Sequence, residues 1–184
     1  MLMYKKISLF FAFAVLLLSS CTMVKGGSKR TVMVTIEPLR YFVEAIAGNR
    51  LDVKTMVPIG GNPETYEPTA QQMIELSHSD LYVKVGSIGF EQTWMKRLKA
   101  NAPHTIIIDS SEGIEPIEST DGVPDPHTWM SCRNAKTIAV NICDALKQSD
   151  AKDSTYFKQN LKTLLERIDR TDKAVATRLK QKSK

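Results

Sequence analysis

His127 stands in Asp125-Pro126-His127-Thr128-Trp129, and Glu64 stands in Gly61-Asn62-Pro63-Glu64-Thr65-Tyr66-Glu67-Pro68-Thr69. An imidazole nitrogen can ligate a metal or carry a proton, and a carboxylate can bind a cation or serve as acid or base. On residue type alone, a lone loop histidine is more often solvated than ligating, and Glu64 reads equally well as an exposed loop carboxylate. Tyr66, Glu67 and Asp125 are suited to supporting these loops, Glu67 by accepting backbone N–H bonds. His78, near a helix end, and His104, just before a strand, read as structural or exposed. Enzyme chemistry finds little footing. There is no G-x-x-x-x-G-K-[ST] phosphate loop. Gly86-Ser87-Ile88-Gly89 lacks the spacing of a nucleophile elbow and has no paired base. No CxxC or Cys/His zinc spacing is present.

The elements around these segments alternate. Thr31 to Ile36 is β-branched and apolar, a strand, and Pro38 to Gly48 carries a helical stripe of Leu39, Phe42, Val43 and Ile46 ended by glycine. Leu51 to Val57 alternates as a second strand, and Pro58 to Pro63 is a turn-rich loop. Thr69–Ser77 and Phe90–Ala100 read as helices, Asp80–Gly86 and Thr105–Asp109 as strands. This order predicts an α/β fold: a mostly parallel four-stranded sheet with helices on both faces. Both chemical loops follow the carboxyl ends of strands, so Glu64 and His127 can converge on one sheet edge. The acids of segment 110–126, among them Glu112, Glu115, Glu118 and Asp121, read as a solvated loop. Ser131 is a candidate N-cap for a helix to about Lys147. A long C-terminal helix then runs from Asp153-Ser154 to about Lys180, about 40 Å at 1.5 Å per residue. Cys132 and Cys143, eleven positions apart on one helix, are out of disulfide reach and read as small buried hydrophobes.

Charge divides the chain. Residues 21–146 hold 12 Lys/Arg against 15 Asp/Glu, whereas residues 147–184 hold 11 against 5. A mildly acidic body with a basic tail is not a nucleic-acid surface. At the other end, Lys5-Lys6 precedes an apolar run from Ile7 to Leu18 and then Leu18-Ser19-Ser20-Cys21. This is a secretory signal, too short to span a bilayer comfortably. It resembles a bacterial lipobox, with Cys21 as the lipidated first residue of the mature chain. The expected organisation is a signal at 1–20, a flexible tether at 21–30, a lobe at 31–148 and the long helix at 149–184.

In order along the chain, the motifs resemble those of the metal-binding solute-binding proteins of ATP-driven zinc and manganese importers. The 61–69 segment is similar to that family's first ligand loop, G-x-D-P-H-x-Y-E-P-T. Val85-Gly86 followed by Phe90-Glu91 and Trp94 is similar to its G-x-x-x-E-x-W segment, and residues 125–129 match D-P-H-x-W. Phe157-x-x-Asn160 resembles the start of its inter-lobe helix. The resemblance implies metal ligands at His127 and Glu64, with Zn²⁺ or Mn²⁺ as cargo. It also implies a membrane permease as partner and a lipid-anchored site outside the cytoplasm. Two departures stand out. Glu64 occupies a position where the family has His, and an oxygen donor tilts preference towards harder ions. The family takes two more ligands from a second lobe, and the chain reads as the first lobe plus linker helix. The acidic loop also lacks the His-rich stretch common in zinc-specific relatives, leaving manganese open. The competing expectation is a truncated surface lipoprotein or adhesion module that keeps the fold without productive metal binding.

The lipobox generates a direct test. Cys21→Ala should abolish incorporation of labelled fatty acid and release the protein from the membrane fraction. Equal labelling of wild type and variant would refute lipidation at Cys21.

Overall fold

The computed structural model describes residues 29–117 and 124–182. The signal segment, Cys21 and the tether up to residue 28 lie outside the described residues, as do Glu118 and Asp121 of the acidic loop. Four strands, β1 (Arg30–Val34), β2 (Leu51–Thr55), β3 (Leu81–Lys84) and β4 (Ile106–Asp109), form one parallel sheet in the order β2-β1-β3-β4. Val32 pairs with Val53 on one side and Leu81 on the other, and Val83 pairs with Ile108. Val32, Met33 and Val34 are all fully buried, as a central parallel strand covered on both faces requires.

The helices are α1 (Glu37–Ala47), α2 (Ala70–Ser77), α3 (Gly89–Asn101), α4 (Cys132–Ser149) and α5 (Ser154–Lys182). Right-handed crossovers put α1 on one face, and α2 and α3 on the other, because the strand order reverses at β1. Accordingly α1 packs with α4 and α5, and α2 with α3. The expected helical stripe of α1 is buried at Leu39, Phe42, Val43 and Ile46, and Gly48 closes the helix at φ 57°. Thr69 and Gln72 cap α2 reciprocally. Ser131 caps α4 by accepting from the Asn134 N–H. Cys143 is buried in α4 and Cys132 half-buried, both as free thiols.

Three strand ends fall short of expectation, and β3 stops at Lys84 because the next two N–H groups, of Val85 and Gly86, turn to the Glu91 carboxylate. β1 stops at Val34 because Ile36 is already the N-cap of α1. β2 ends at Thr55 as a regular strand, yet its hydrogen bonding continues, Met56 N–H to Val34 O at 2.8 Å and Val57 N–H to Thr35 O at 2.9 Å.

The long helix changes character along its length. Phe157, Leu164 and Ile168 are buried, and Asn160 Nδ2 donates to the carbonyl of Ile46. Lys136 pairs with Asp169 at 2.8 Å. Further on, Val175 is 49% exposed. Removing a buried aromatic leaves a cavity, whereas trimming an exposed valine does not. Phe157→Ala should therefore lower unfolding free energy by about 3–5 kcal/mol. Val175→Ala should change it by less than about 0.5 kcal/mol. Urea titrations of the two variants check the contrast.

Candidate functional site

Strand order reverses between β1 and β3, which makes their carboxyl ends the natural crevice of the sheet. Glu91, in the first turn of α3, fills the base of that crevice and is 3% exposed. Its Oε1 accepts from Thr35 Oγ1 at 2.6 Å and from Val85 N–H at 2.6 Å, and its Oε2 accepts from Gly86 N–H at 2.8 Å. With the Thr35 hydroxyl proton committed to the carboxylate, the fully buried Tyr82 OH donates to Thr35 Oγ1 at 2.9 Å. Burial pushes the Glu91 carboxyl above its ordinary range, against the opposing effect of these donors. Burial likewise pushes the Tyr82 phenol up.

Above this base lies the loop that leaves β2. Gly60 adopts φ 84°, and Gly61 N–H closes a turn on Pro58 O at 2.9 Å. Asn62 Oδ1 accepts from Glu64 N–H at 2.9 Å, the bond of an Asx turn. Tyr66 OH donates to Gln72 Oε1 at 3.0 Å, and Gln72 Nε2 donates to Met56 O at 2.6 Å. The Tyr66 ring also lies against Phe90, centroids 6.2 Å apart. Glu64 is exposed, and its Oε2 accepts from Gly89 N–H at 2.9 Å. Glu67 is exposed too, and among the described residues its carboxylate accepts no hydrogen bond. The loop-fixing role expected of Glu67 is filled by Asn62, Tyr66, Gln72 and Glu64.

The second loop is built on Asp125. Its Oδ1 accepts from His127 N–H at 2.9 Å and lies 2.7 Å from His127 Nδ1. A carboxylate can only accept, so Nδ1 carries a proton, and in the neutral ring that leaves the lone pair on Nε2. The His127 N–H and ring hold the Asp125 carboxyl below its usual range. The ring is 62% exposed and tilts over Trp129 at 5.3 Å. It borders a hollow of about 380 Å³ that Glu115, Asp125, Thr128, Ser131 and Asn134 also line. Thr128 Oγ1 is buried there without a hydrogen-bond partner among the described residues.

The structure thus joins Asp125 to His127 and Tyr66 to its loop. Glu64 makes no hydrogen bond or ion pair with His127 and does not line the His127 hollow. Among the described residues no group of three His, Cys, Asp or Glu side chains is gathered to hold a metal. His78, at the C-cap of α2, and His104, ahead of β4, are exposed, and neither lines the His127 hollow. In the sequence Glu91 stands out only as part of the Val85-Gly86, Phe90-Glu91 and Trp94 motif. The signal for its role was a carboxylate beside Phe90, at the point where a helix with an apolar stripe begins.

The profile described as zinc-uptake complex component A, periplasmic, matches residues 32–184. A manganese ABC transporter substrate-binding lipoprotein, PsaA of Streptococcus mitis, is 31% identical over 174 residues, 87% of this chain and 56% of that protein. The iron ABC transporter substrate-binding lipoprotein MtsA of Streptococcus pyogenes serotype M6 is 32% identical over 187 residues, 93% and 60% of the two chains. Among solved structures, a zinc-bound deletion mutant of ZnuA superposes with a TM-score of 0.77 at 35% identity, covering 82% of this chain and 58% of that one. The chain therefore spans somewhat more than half the length of these relatives.

The buried carboxylate gives this site a measurable signature. Because its pKa is raised, the folded state holds the Glu91 proton more tightly than the unfolded chain. The group's contribution to stability therefore declines as pH rises from about 4.5. Glu91→Gln should flatten that decline. It should also cost about 1–3 kcal/mol near neutral pH, because an amide NH₂ faces one of the three donors. Urea midpoints across the pH range check both effects.

Proposed function

The chain belongs to the periplasmic zinc-uptake component A family, which is one of substrate-binding proteins and not of enzymes, and on that premise we propose that it captures a divalent metal outside the cytoplasm for a membrane permease of an ATP-driven importer. The observation that carries the reading is the Asp125–His127 pair. A carboxylate that holds Nδ1–H fixes the tautomer, raises the basicity of Nε2 and aims it outward, as metal-ligating histidines require. Glu64 is the second donor, an oxygen at the position where the family pattern has His. Carboxylate oxygens bind Zn²⁺ at about 2.0–2.2 Å, so the replacement keeps a ligand while changing its hardness. Zinc is favoured over manganese because the imidazole suits it and because the matching family is described by zinc uptake. The protein reaches the cell envelope by the signal at 1–20 and stays there through a lipid on Cys21. The metal travels as cargo and supplies no chemistry.

A tight zinc site takes four donors, or three and a water. Glu64 and His127 supply two, so this chain should bind Zn²⁺ weakly. His127→Ala should abolish that binding. Asp125→Asn should weaken it by about 10–100-fold with the fold intact, since outer partners of ligating histidines carry that much affinity. Calorimetry with Zn²⁺ and Mn²⁺ checks these outcomes. Tight binding that survives His127→Ala would move the site elsewhere.

A further inference from the structure

Helix α3 begins without a cap of its own. Its N-cap residue is Ile88, whose side chain has no acceptor, and no side-chain bond is made from that position. The first N–H groups of a helix have no intrahelical partner and sit at its positive end. Gly89, the first helical residue, sends its N–H to Glu64 Oε2 at 2.9 Å, and Phe90 sends its N–H to Pro63 O at 2.9 Å. A residue 25 positions away thus caps the helix, and the same contact pins the Glu64 carboxylate.

The approach depends on glycine. A Cβ on Gly89 would lie 2.4 Å from Glu64 Oε2, 3.0 Å from the Glu64 carbonyl oxygen and 3.2 Å from its Cα. A methyl group there must turn the Glu64 carboxylate off the helix and shift the loop backbone by a few tenths of an ångström. The helix side of the contact is anchored within the same turn, because Glu91 is held by Val85 and Gly86 N–H and by Thr35.

We propose that Gly89 is the positioning residue for Glu64: its N–H and its missing side chain hold Oε2 on α3 and turn Oε1, which accepts no hydrogen bond among the described residues, towards a divalent cation. This rests on Glu64 being a metal donor, as read above. The carboxylate is then a one-oxygen ligand whose second oxygen stays on the helix when the cation binds.

Three single variants and one double variant separate the parts. Glu64→Gln keeps an acceptor for Gly89 and loses the anionic donor, Glu64→Ala loses both, and Gly89→Ala displaces the loop and keeps the carboxylate. Zn²⁺ affinity by calorimetry should fall by about tenfold in Gly89→Ala, the lower end of the range for outer partners. The double variant Glu64→Ala/Gly89→Ala should bind no more weakly than Glu64→Ala alone, since Gly89 acts only through Glu64. Amide exchange of ¹⁵N-labelled protein reads the contact without metal. Gly89 N–H should be protected in wild type and in Glu64→Gln, and unprotected in Glu64→Ala. That protection should persist in saturating Zn²⁺. Additive losses of affinity would overturn the proposal while leaving Glu64 a donor. Release of Gly89 N–H on adding Zn²⁺, or protection indifferent to Glu64→Ala, would also overturn it. Unchanged Zn²⁺ affinity in Glu64→Ala would remove Glu64 from the site and the proposal with it. Should Gly89→Ala fail to fold, the exchange measurements still decide the matter.

Discussion

Where β1 and β3 run out, their backbone groups lose strand partners just as the sheet opens its crevice, and the Glu91 carboxylate takes up the donors left there. Burying an anion is costly unless its oxygens are satisfied. Here Thr35 Oγ1, Val85 N–H and Gly86 N–H converge on one carboxylate, and two of these donors are backbone groups leaving β3. The arrangement solves two problems at once. It pairs amides that would otherwise be buried unpaired, and it ties the first turn of α3 to both central strands. Tyr82 of β3 extends the network through Thr35.

From that fixed turn the rest of the edge is set in sequence. Gly89 and Phe90 offer their N–H groups to the loop at Glu64 and Pro63, so the loop is docked from one side. From the other side Gln72 reaches back to Met56 O while its Oε1 takes up Tyr66 OH and Thr69 N–H. One glutamine thus serves as helix cap, loop brace and anchor to the strand end. The loop's glycines allow the turn, and these bonds remove the freedom the glycines would otherwise leave.

Much of this was legible in the chain. β-branched runs became β1 to β4 within one or two residues, Ser131 capped the helix it precedes, and the stripe Leu39-Phe42-Val43-Ile46 faced the core. These signals are local, carried by residues within a turn or a pleat of each other. The Asp125–His127 pair is local as well, two residues apart. What escaped the sequence was set by distant pairs. Glu64 meets Gly89 across 25 positions, and Glu91 meets Thr35 across 56. Glu67 illustrates the converse: its type suited a loop brace, yet its neighbours satisfied the backbone and left it in solvent.

The two candidate donors are consequently prepared by different means. Asp125 steers His127 from within the same loop, by holding one ring nitrogen so that the other is free. Glu64 is steered from another element, by a helix terminus that occupies one of its oxygens. In each case a hydrogen bond consumes part of the donor's capacity and fixes the direction of what remains. The local pair can form as soon as its loop does. The distant one depends on α3 being seated on the strands, and that seat is the buried carboxylate of Glu91. An exposed glutamate thereby acquires a defined orientation from a residue it never touches, which is how a solvent-facing loop on this sheet can present a donor in a fixed direction.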